Sequence, residues 1–238
     1  MSFVYHTIFF NPLYNTLILL FKILPWADAG LIVIILTILV RLIMFPLSRK
    51  AVLTQVKMAE INPELAKIKE QYKDKTEEQA RLTLALYKKK GINPFSGILV
   101  VIIQIPIILA LYRIFLHFPE INNSILYSFI TAPNHINTLF LGFLDITAKS
   151  AILALLAAIS TSIQFKVSMQ GQTSPKGTSF GDNLTRSMQS QMKYFFPVIV
   201  FFISYKISGV IALYWLTTNL FTIAQELFVR KNLKPIQA

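Results

Sequence analysis

Apolar residues in this chain gather into long blocks separated by polar ones, with little of the two-residue alternation that a half-buried strand would show. The first block to reach spanning length is roughly 27–47. Its apolar core runs from Leu31 to Val40, Arg41 interrupts it, and Phe45-Pro46 closes it. A second covers 95–116 and contains Gln104 and Pro106, and a third covers 148–167. The last runs from Tyr194 to Val229. Those 36 residues would make one helix about 54 Å long at 1.5 Å per residue, against a hydrocarbon core of about 30 Å. The block must therefore fold back, and Lys206 to Gly209 is the natural break. Near the N-terminus, Leu17 to Leu24 is too short to cross. Asn11-Pro12 opens it with a proline in the first turn, which predicts a helix lying in the interface plane. The pattern predicts an all-α polytopic membrane protein with an interfacial helix over 1–25 and five transmembrane helices over 26–48, 94–116, 148–168, 192–206 and 209–228.

The polar segments complete the plan. Residues 49–93 hold eleven of the 23 basic residues, yet apolar side chains still recur at helical spacing: Ile61, Leu65, Ile68 and Tyr72 in one arm, Leu82 and Leu86 in the other. Asn62-Pro63-Glu64 has the form of a cap with proline at the first helical position, and Thr76-Glu77-Glu78-Gln79 fits a capping box. Together these predict an antiparallel helical hairpin standing in the cytoplasm with its tip near Asp74 to Thr76. Residues 117–147 are short-segmented and read as an extracytoplasmic hairpin touching the membrane surface. Residues 169–191, rich in Gln, Ser, Thr and Gly, read as a flexible cytoplasmic loop, and 229–238 as a cytoplasmic tail.

Composition agrees with a membrane class. Of the 238 residues 54% are hydrophobic and only 14% charged, with a mean hydropathy of +0.57 and less charge than soluble domains carry. The net charge of +12 orients the spans. With the hairpin, the 169–191 loop and the tail inside, eighteen basic residues are cytoplasmic and four lie outside or at the outer rim: Lys22, Arg113, Lys149 and Lys206. Basic residues concentrate on cytoplasmic loops, so the N-terminus is expected outside and the C-terminus inside, in a multi-pass protein of the plasma membrane. The absence of cysteine excludes disulfides, thiolate metal sites and a cysteine nucleophile. No basic n-region or small-residue cleavage site opens the chain, so no cleaved signal peptide is expected. Phosphate-binding loops, H-E-x-x-H and nucleophile motifs are missing, which predicts a protein that is not an enzyme and needs no cofactor or metal.

Arg41 is the most informative residue. An arginine at the centre of a spanning helix costs about 2.5–3.5 kcal/mol on insertion scales. The bland explanation is that the side chain snorkels to the cytoplasmic headgroups. No carboxylate, however, stands at its depth: Asp28 lies at the outer end of its span and Glu226 near the inner end of the fifth. An unpaired guanidinium there calls for water, and hence for a hydrated cavity open to the cytoplasm. Thr37, four residues earlier on the same face, Gln104 in the second span, Gln164 in the third, and Tyr214, Trp215 and Asn219 in the fifth could line it. Singly, such residues are ordinary helix glue or interface anchors. Together with Arg41 they predict a polar groove.

At this point the residues resemble those of a known family. Asn11-Pro12-Leu13-Tyr14-Asn15, Leu36-Thr37-Ile38-Leu39-Val40-Arg41, Phe45-Pro46-Leu47, Lys57-Met58, Lys90-Gly91-Ile92-Asn93-Pro94, Gln104-Ile105-Pro106-Ile107, Leu141-Gly142-Phe143-Leu144-Asp145, and Ala212-Leu213-Tyr214-Trp215 with Asn219-Leu220-Phe221 resemble, in order and spacing, the core of the YidC/Oxa/Alb membrane protein insertases. The resemblance implies a membrane insertase and chaperone of protein transport. Its hydrophilic groove would receive the polar flanks of nascent membrane proteins and attract their acidic residues through Arg41. The substrate helix would leave along the apolar faces of spans two and four. Implied partners are nascent membrane proteins, the ribosome, membrane lipids and, as a further candidate, the Sec translocon, with no specific nucleic-acid recognition. Gram-negative members carry a large extracytoplasmic domain after an extra N-terminal helix, and many Gram-positive members begin as lipoproteins; this chain is expected to have neither feature. Lys206-Ile207-Ser208-Gly209 also departs from the Pro/Ala-Gly-Leu form usual between the last two spans. Two alternatives stay open: a small transporter or channel using Arg41 as an anion site, and a noncatalytic subunit of a larger insertion complex.

Overall fold

The computed structural model describes residues 3–93, 96–170, 187 and 189–232. Its helices are α1 (Phe3–Tyr5), α2 (Asn11–Ile23), α3 (Ala29–Glu60), α4 (Asn62–Gln71), α5 (Thr76–Lys89), α6 (Ser96–Leu116), α7 (Ala151–Ser168), α8 (Phe196–Ile207) and α9 (Gly209–Lys231). Two-residue strands β1 (Leu139–Phe140) and β2 (Leu144–Asp145) pair antiparallel. The chain is helical almost throughout. Two helices, α3 and α7, are long and apolar enough to cross a membrane. Most of the 169–191 segment, and the tail from residue 233, lie outside the described residues.

Local sequence explains the starts of α3 and α7. Asp28 has extended backbone (φ −71°, ψ 165°) and its Oδ1 accepts the Leu31 N–H at 2.9 Å, which caps α3. Ser150 caps α7 by accepting the Leu153 N–H at 3.2 Å. Pro46 stands inside α3 without ending it. Proline withholds the N–H that would bond Leu42, and both residues lie on the exposed side, where a neighbouring helix need not repair the gap. The helix thus continues past residue 48 to Glu60, and the charged segment starts as an extension of it.

Three starts differ from the sequence reading. Helical backbone begins before Asn11: α1 and a π-helical stretch, His6–Phe10, lead into α2 and end where Pro12 has no N–H to give. Thr76 is not an N-cap. Lys75 holds that position, and Gln79 donates to the Lys69 carbonyl at 3.1 Å, joining the arms of the hairpin. Asn62 is likewise already helical. Ile61 is in near-helical backbone, so its own carbonyl receives the Leu65 N–H at 2.9 Å and no side-chain cap is needed.

The helices form an open bundle. α9 packs against both α7 and α3, α8 lies on α7, α6 lies on α3, and α2 crosses α3 and α6. Among the described residues, α6 and α8 share no packed interface, while α9 touches both. The core is apolar, built on Leu17, Ile32, Leu36, Leu111 and Ile146, but it also encloses polar side chains, and large apolar side chains lie outside it. Asn15, Thr37, Thr161, Ser204 and Asn219 are buried, while Ile102, Ile105 and Leu109 of α6, Ile152 and Leu155 of α7, and Val198 and Phe202 of α8 are exposed. Apolar surface this continuous requires a non-aqueous neighbour.

One end of the bundle is tied by the 117–150 segment. Asn15 of α2 donates to the Ile125 carbonyl (3.0 Å) and accepts from the Tyr127 N–H (2.7 Å). Ala29 N–H meets the Asn137 carbonyl (2.8 Å), and Gly209 and Val210 N–H groups meet the Ala148 and Ile146 carbonyls (both 2.8 Å). A Cβ on Gly30 would fall 2.2 Å from the Phe140 ring, so only glycine admits β1 this close to α3. The other end carries α4 and α5, held by a small core of Ile61, Leu86 and Ile92.

Candidate functional site

Three helices bring their polar side chains to one place. Arg41 projects from α3, Tyr214 from α9 and Gln104 from α6. The amide of Gln104 donates to the Tyr214 hydroxyl at 3.4 Å, and the Arg41 guanidinium lies within electrostatic reach of that hydroxyl. The Tyr214 ring is packed by Phe115 of α6, with centroids 6.1 Å apart. Arg41 is half-buried and forms no ion pair among the described residues. Gln104 Oε1 is buried without a hydrogen-bond partner, and the Thr218 hydroxyl, one turn beyond Tyr214, is buried facing the Tyr214 hydroxyl. A buried polar atom without a partner, near an unpaired guanidinium, marks a place for water or for a polar ligand.

The nearest acids are engaged elsewhere. Asp28 caps α3 at the far end, and its second oxygen accepts the Leu141 N–H at 3.1 Å. Glu226 takes a short hydrogen bond from Ser168 and lies 3.8 Å from Arg230.

The remaining predicted residues have partners of their own. Thr37 is buried, and its hydroxyl donates to the Val33 carbonyl at 2.6 Å within its own helix. Asn219 clamps α9 to α7: its amide donates to Thr161 Oγ1 (2.7 Å), Ser160 Oγ (3.0 Å) and the Ala157 carbonyl (3.4 Å). Trp215 sits edge-on to Phe196 of α8, which in turn meets Phe165 of α7. Gln164 donates to Ser168 at 2.8 Å.

Gln164 thereby joins a network that sequence reasoning did not foresee. The Ser168 carbonyl at the end of α7 receives Gln55 of α3 at 2.6 Å and Arg230 of α9 at 3.2 Å, and Arg230 also reaches the Gln170 carbonyl at 3.0 Å. Nearby, Gln225 donates to Ser48 at 2.5 Å. This network ties the extension of α3 to the ends of α7 and α9. The Glu226–Arg230 spacing was readable as an i,i+4 pair; nothing in the sequence announced Gln55 or Ser48.

Among the described residues no group of His, Cys, Asp and Glu could hold a metal ion.

Comparison with known proteins gives the frame. The family model described as "60Kd inner membrane protein" matches residues 20–236. A membrane protein insertase YidC of Oceanobacillus iheyensis is 31% identical over 208 residues, covering 85% of this chain and 74% of the relative. One of Clostridium perfringens is 32% identical over 197 residues, covering 83% and 76%. One of Wolinella succinogenes is 30% identical over 228 residues, covering 96% of this chain but 38% of the longer relative. A match over nearly the whole chain, on a helical framework with a half-buried arginine between polar neighbours, places this chain in the 60Kd inner membrane protein family, that of the YidC membrane protein insertases.

Proposed function

We propose that this chain, a membrane protein insertase by family, receives the hydrophilic flanks of nascent membrane proteins in a groove at Arg41 and releases their helices into the bilayer. The observation that carries this reading is the unpaired Arg41 beside Tyr214 and Gln104, with Gln104 Oε1 buried and without a partner, next to a helix α6 whose outer face is apolar and exposed. A guanidinium without a counter-ion attracts acidic groups most strongly where water is scarce. The exposed apolar faces of α6 and α8 then offer the substrate helix a path into lipid. Burial of its side chains, about 1.5–3 kcal/mol for each large apolar one, supplies the driving force without a nucleotide.

In this reading the protein crosses the plasma membrane five times, through the first part of α3 and through α6, α7, α8 and α9, with α2 in the outer interface. The N-terminus is outside, and the α4–α5 hairpin and C-terminus are cytoplasmic. A π-helical stretch of 5 residues, Gln191–Phe195, runs directly into the 12 residues of α8; at 1.5 Å per residue the two together reach about 25 Å, a little short of a hydrocarbon core of about 30 Å, so the bilayer thins slightly around them. The hairpin, basic and partly apolar, meets the ribosome, and the Sec translocon is a further partner. The protein acts on no covalent bond.

The test is insertion by the purified chain alone in proteoliposomes. The substrates are single-span proteins whose translocated tails differ only in acidic residues. Arg41→Lys keeps the charge and loses the planar fork, and much activity is expected to remain. Arg41→Ala is expected to fail most on acidic tails and least on neutral ones. Equal loss on both, with the fold intact, rejects attraction of acidic flanks as the arginine's role.

A further inference from the structure

Several large apolar side chains are exposed at the outer end of the bundle, away from the faces of α6 and α8. Trp26 precedes the Asp28 cap by two residues and is 74% exposed; Leu141 and Phe143, at the tip of the β1–β2 hairpin, are 59% and 75% exposed. They are brought together by Asp28. One carboxylate oxygen caps α3 and the other holds the Leu141 N–H at 3.1 Å, so the tip is fixed within two residues of Trp26. The tip is also a rigid shape. Leu141 has φ 54° and Gly142 φ 80°, a tight turn in the left-handed region that a leucine enters only when held. A chain that spends backbone strain to present Leu141 and Phe143 outward is presenting them to something.

We propose that Trp26, Leu141 and Phe143 form a wedge seated in the headgroup–acyl boundary of the outer phospholipid leaflet. The position argues for lipid. The apolar run of α3 begins at Ala29, so the three side chains stand where that run meets water. This is the layer that tryptophan, with an apolar ring and a polar N–H, prefers. The charges agree. Exposed Lys22 lies four residues before Trp26, and exposed Lys149 and Lys206 flank the Gly209 N–H to Ala148 carbonyl bond at the same end. Ammonium groups at the same end of the bundle as an apolar tip match lipid phosphates lying above acyl chains. Because Asp28 joins the tip to the first turn of α3, the wedge sets the depth at which Arg41, on the same helix, rides in the membrane. The inference rests on the outward placement of this end in the reading above.

The chain has no cysteine, so one introduced thiol can carry an environment-sensitive fluorophore. The whole protein is reconstituted in phosphatidylcholine–phosphatidylglycerol vesicles with the label at Phe143→Cys, at Leu156→Cys on the exposed face of α7, or at Asn123→Cys. The Phe143 label is expected to emit blue-shifted from the Asn123 label. It should also lose more emission to lipids brominated near the headgroup than to lipids brominated near the chain end, with the reverse order for Leu156. A Phe143 label that emits like Asn123 while Leu156 is quenched overturns the wedge and leaves the spanning reading standing. A blue-shifted Phe143 label that no brominated lipid quenches also overturns it, since a protein surface would then be the cover. A Leu156 label as wet as Asn123 overturns the spanning reading and the wedge with it.

Discussion

Asn219 and Arg41 show how differently two polar residues in apolar helices can be employed. Asn219 has all its donors placed, on Thr161, Ser160 and Ala157, and joins two helices that already pack closely. Arg41 has none placed on an acid. Truncating the first should therefore be a stability change and truncating the second a functional one. Asn219→Ala is expected to cost about 0.6–2 kcal/mol, the range of interhelical hydrogen bonds in bilayers. A lowered thermal midpoint in detergent, with insertion retained below it, would show this. If the variant keeps its stability and loses insertion, Asn219 faces the groove in the working protein. From sequence both residues are candidates for the groove, since a polar side chain in an apolar span has the same signature whether its partner is a neighbouring helix or water. Thr37 illustrates the same limit, because its choice of the Val33 carbonyl depends on the packing that buries it.

At the scale of elements, the α4–α5 hairpin is a satellite of the bundle. It has its own core of Ile61, Leu86 and Ile92, with Met58, Leu65, Ile68 and Tyr87 around it, and a cross-arm ion pair, Lys90–Glu64 at 2.7 Å. That pair is exposed and worth no more than about 1 kcal/mol, so the apolar cluster holds the arms together. Leu86→Asp places a carboxylate in that cluster, at a cost of a few kcal/mol. Amide exchange over 62–89 should accelerate while α7 and α9 keep their protection, and insertion should fall if the hairpin recruits substrate or ribosome. Exchange that accelerates across the whole chain would mean that hairpin and bundle fold as one unit. The hairpin's existence was legible, since apolar spacing marks both arms and glutamates cluster at the start of α5. Its junction was not. A Phe45-Pro46 pair that reads as a helix end is carried through α3, because the missing hydrogen bond falls on the exposed side.

At the scale of the whole molecule, the proposed five-span topology makes a direct prediction. Single cysteines at Thr76 and at Asn123 are expected to react with a membrane-impermeant thiol reagent from opposite sides, Thr76 from the cytoplasm only and Asn123 from outside only. Labelling of Asn123→Cys in inverted vesicles would reject the five-span topology. The separation of α6 from α8 belongs to this scale as well. No single helix encodes it; it follows from α6 resting on α3 and α8 on α7 with α9 between them.

Hydropathy, helix signals and charge are local sums, and they determined the helical membrane class, the hairpin and the singularity of Arg41 without reference to any contact. Partnership is a property of distance. Only the tertiary structure decided that Gln104 and Tyr214 stand by Arg41, that Gln164 turns instead to Ser168, and that Gln55 and Arg230 converge on one carbonyl. Those choices depend on helix rotation and register. Packing sets both, and in apolar helices with many interchangeable leucines and isoleucines the sequence pattern leaves them open.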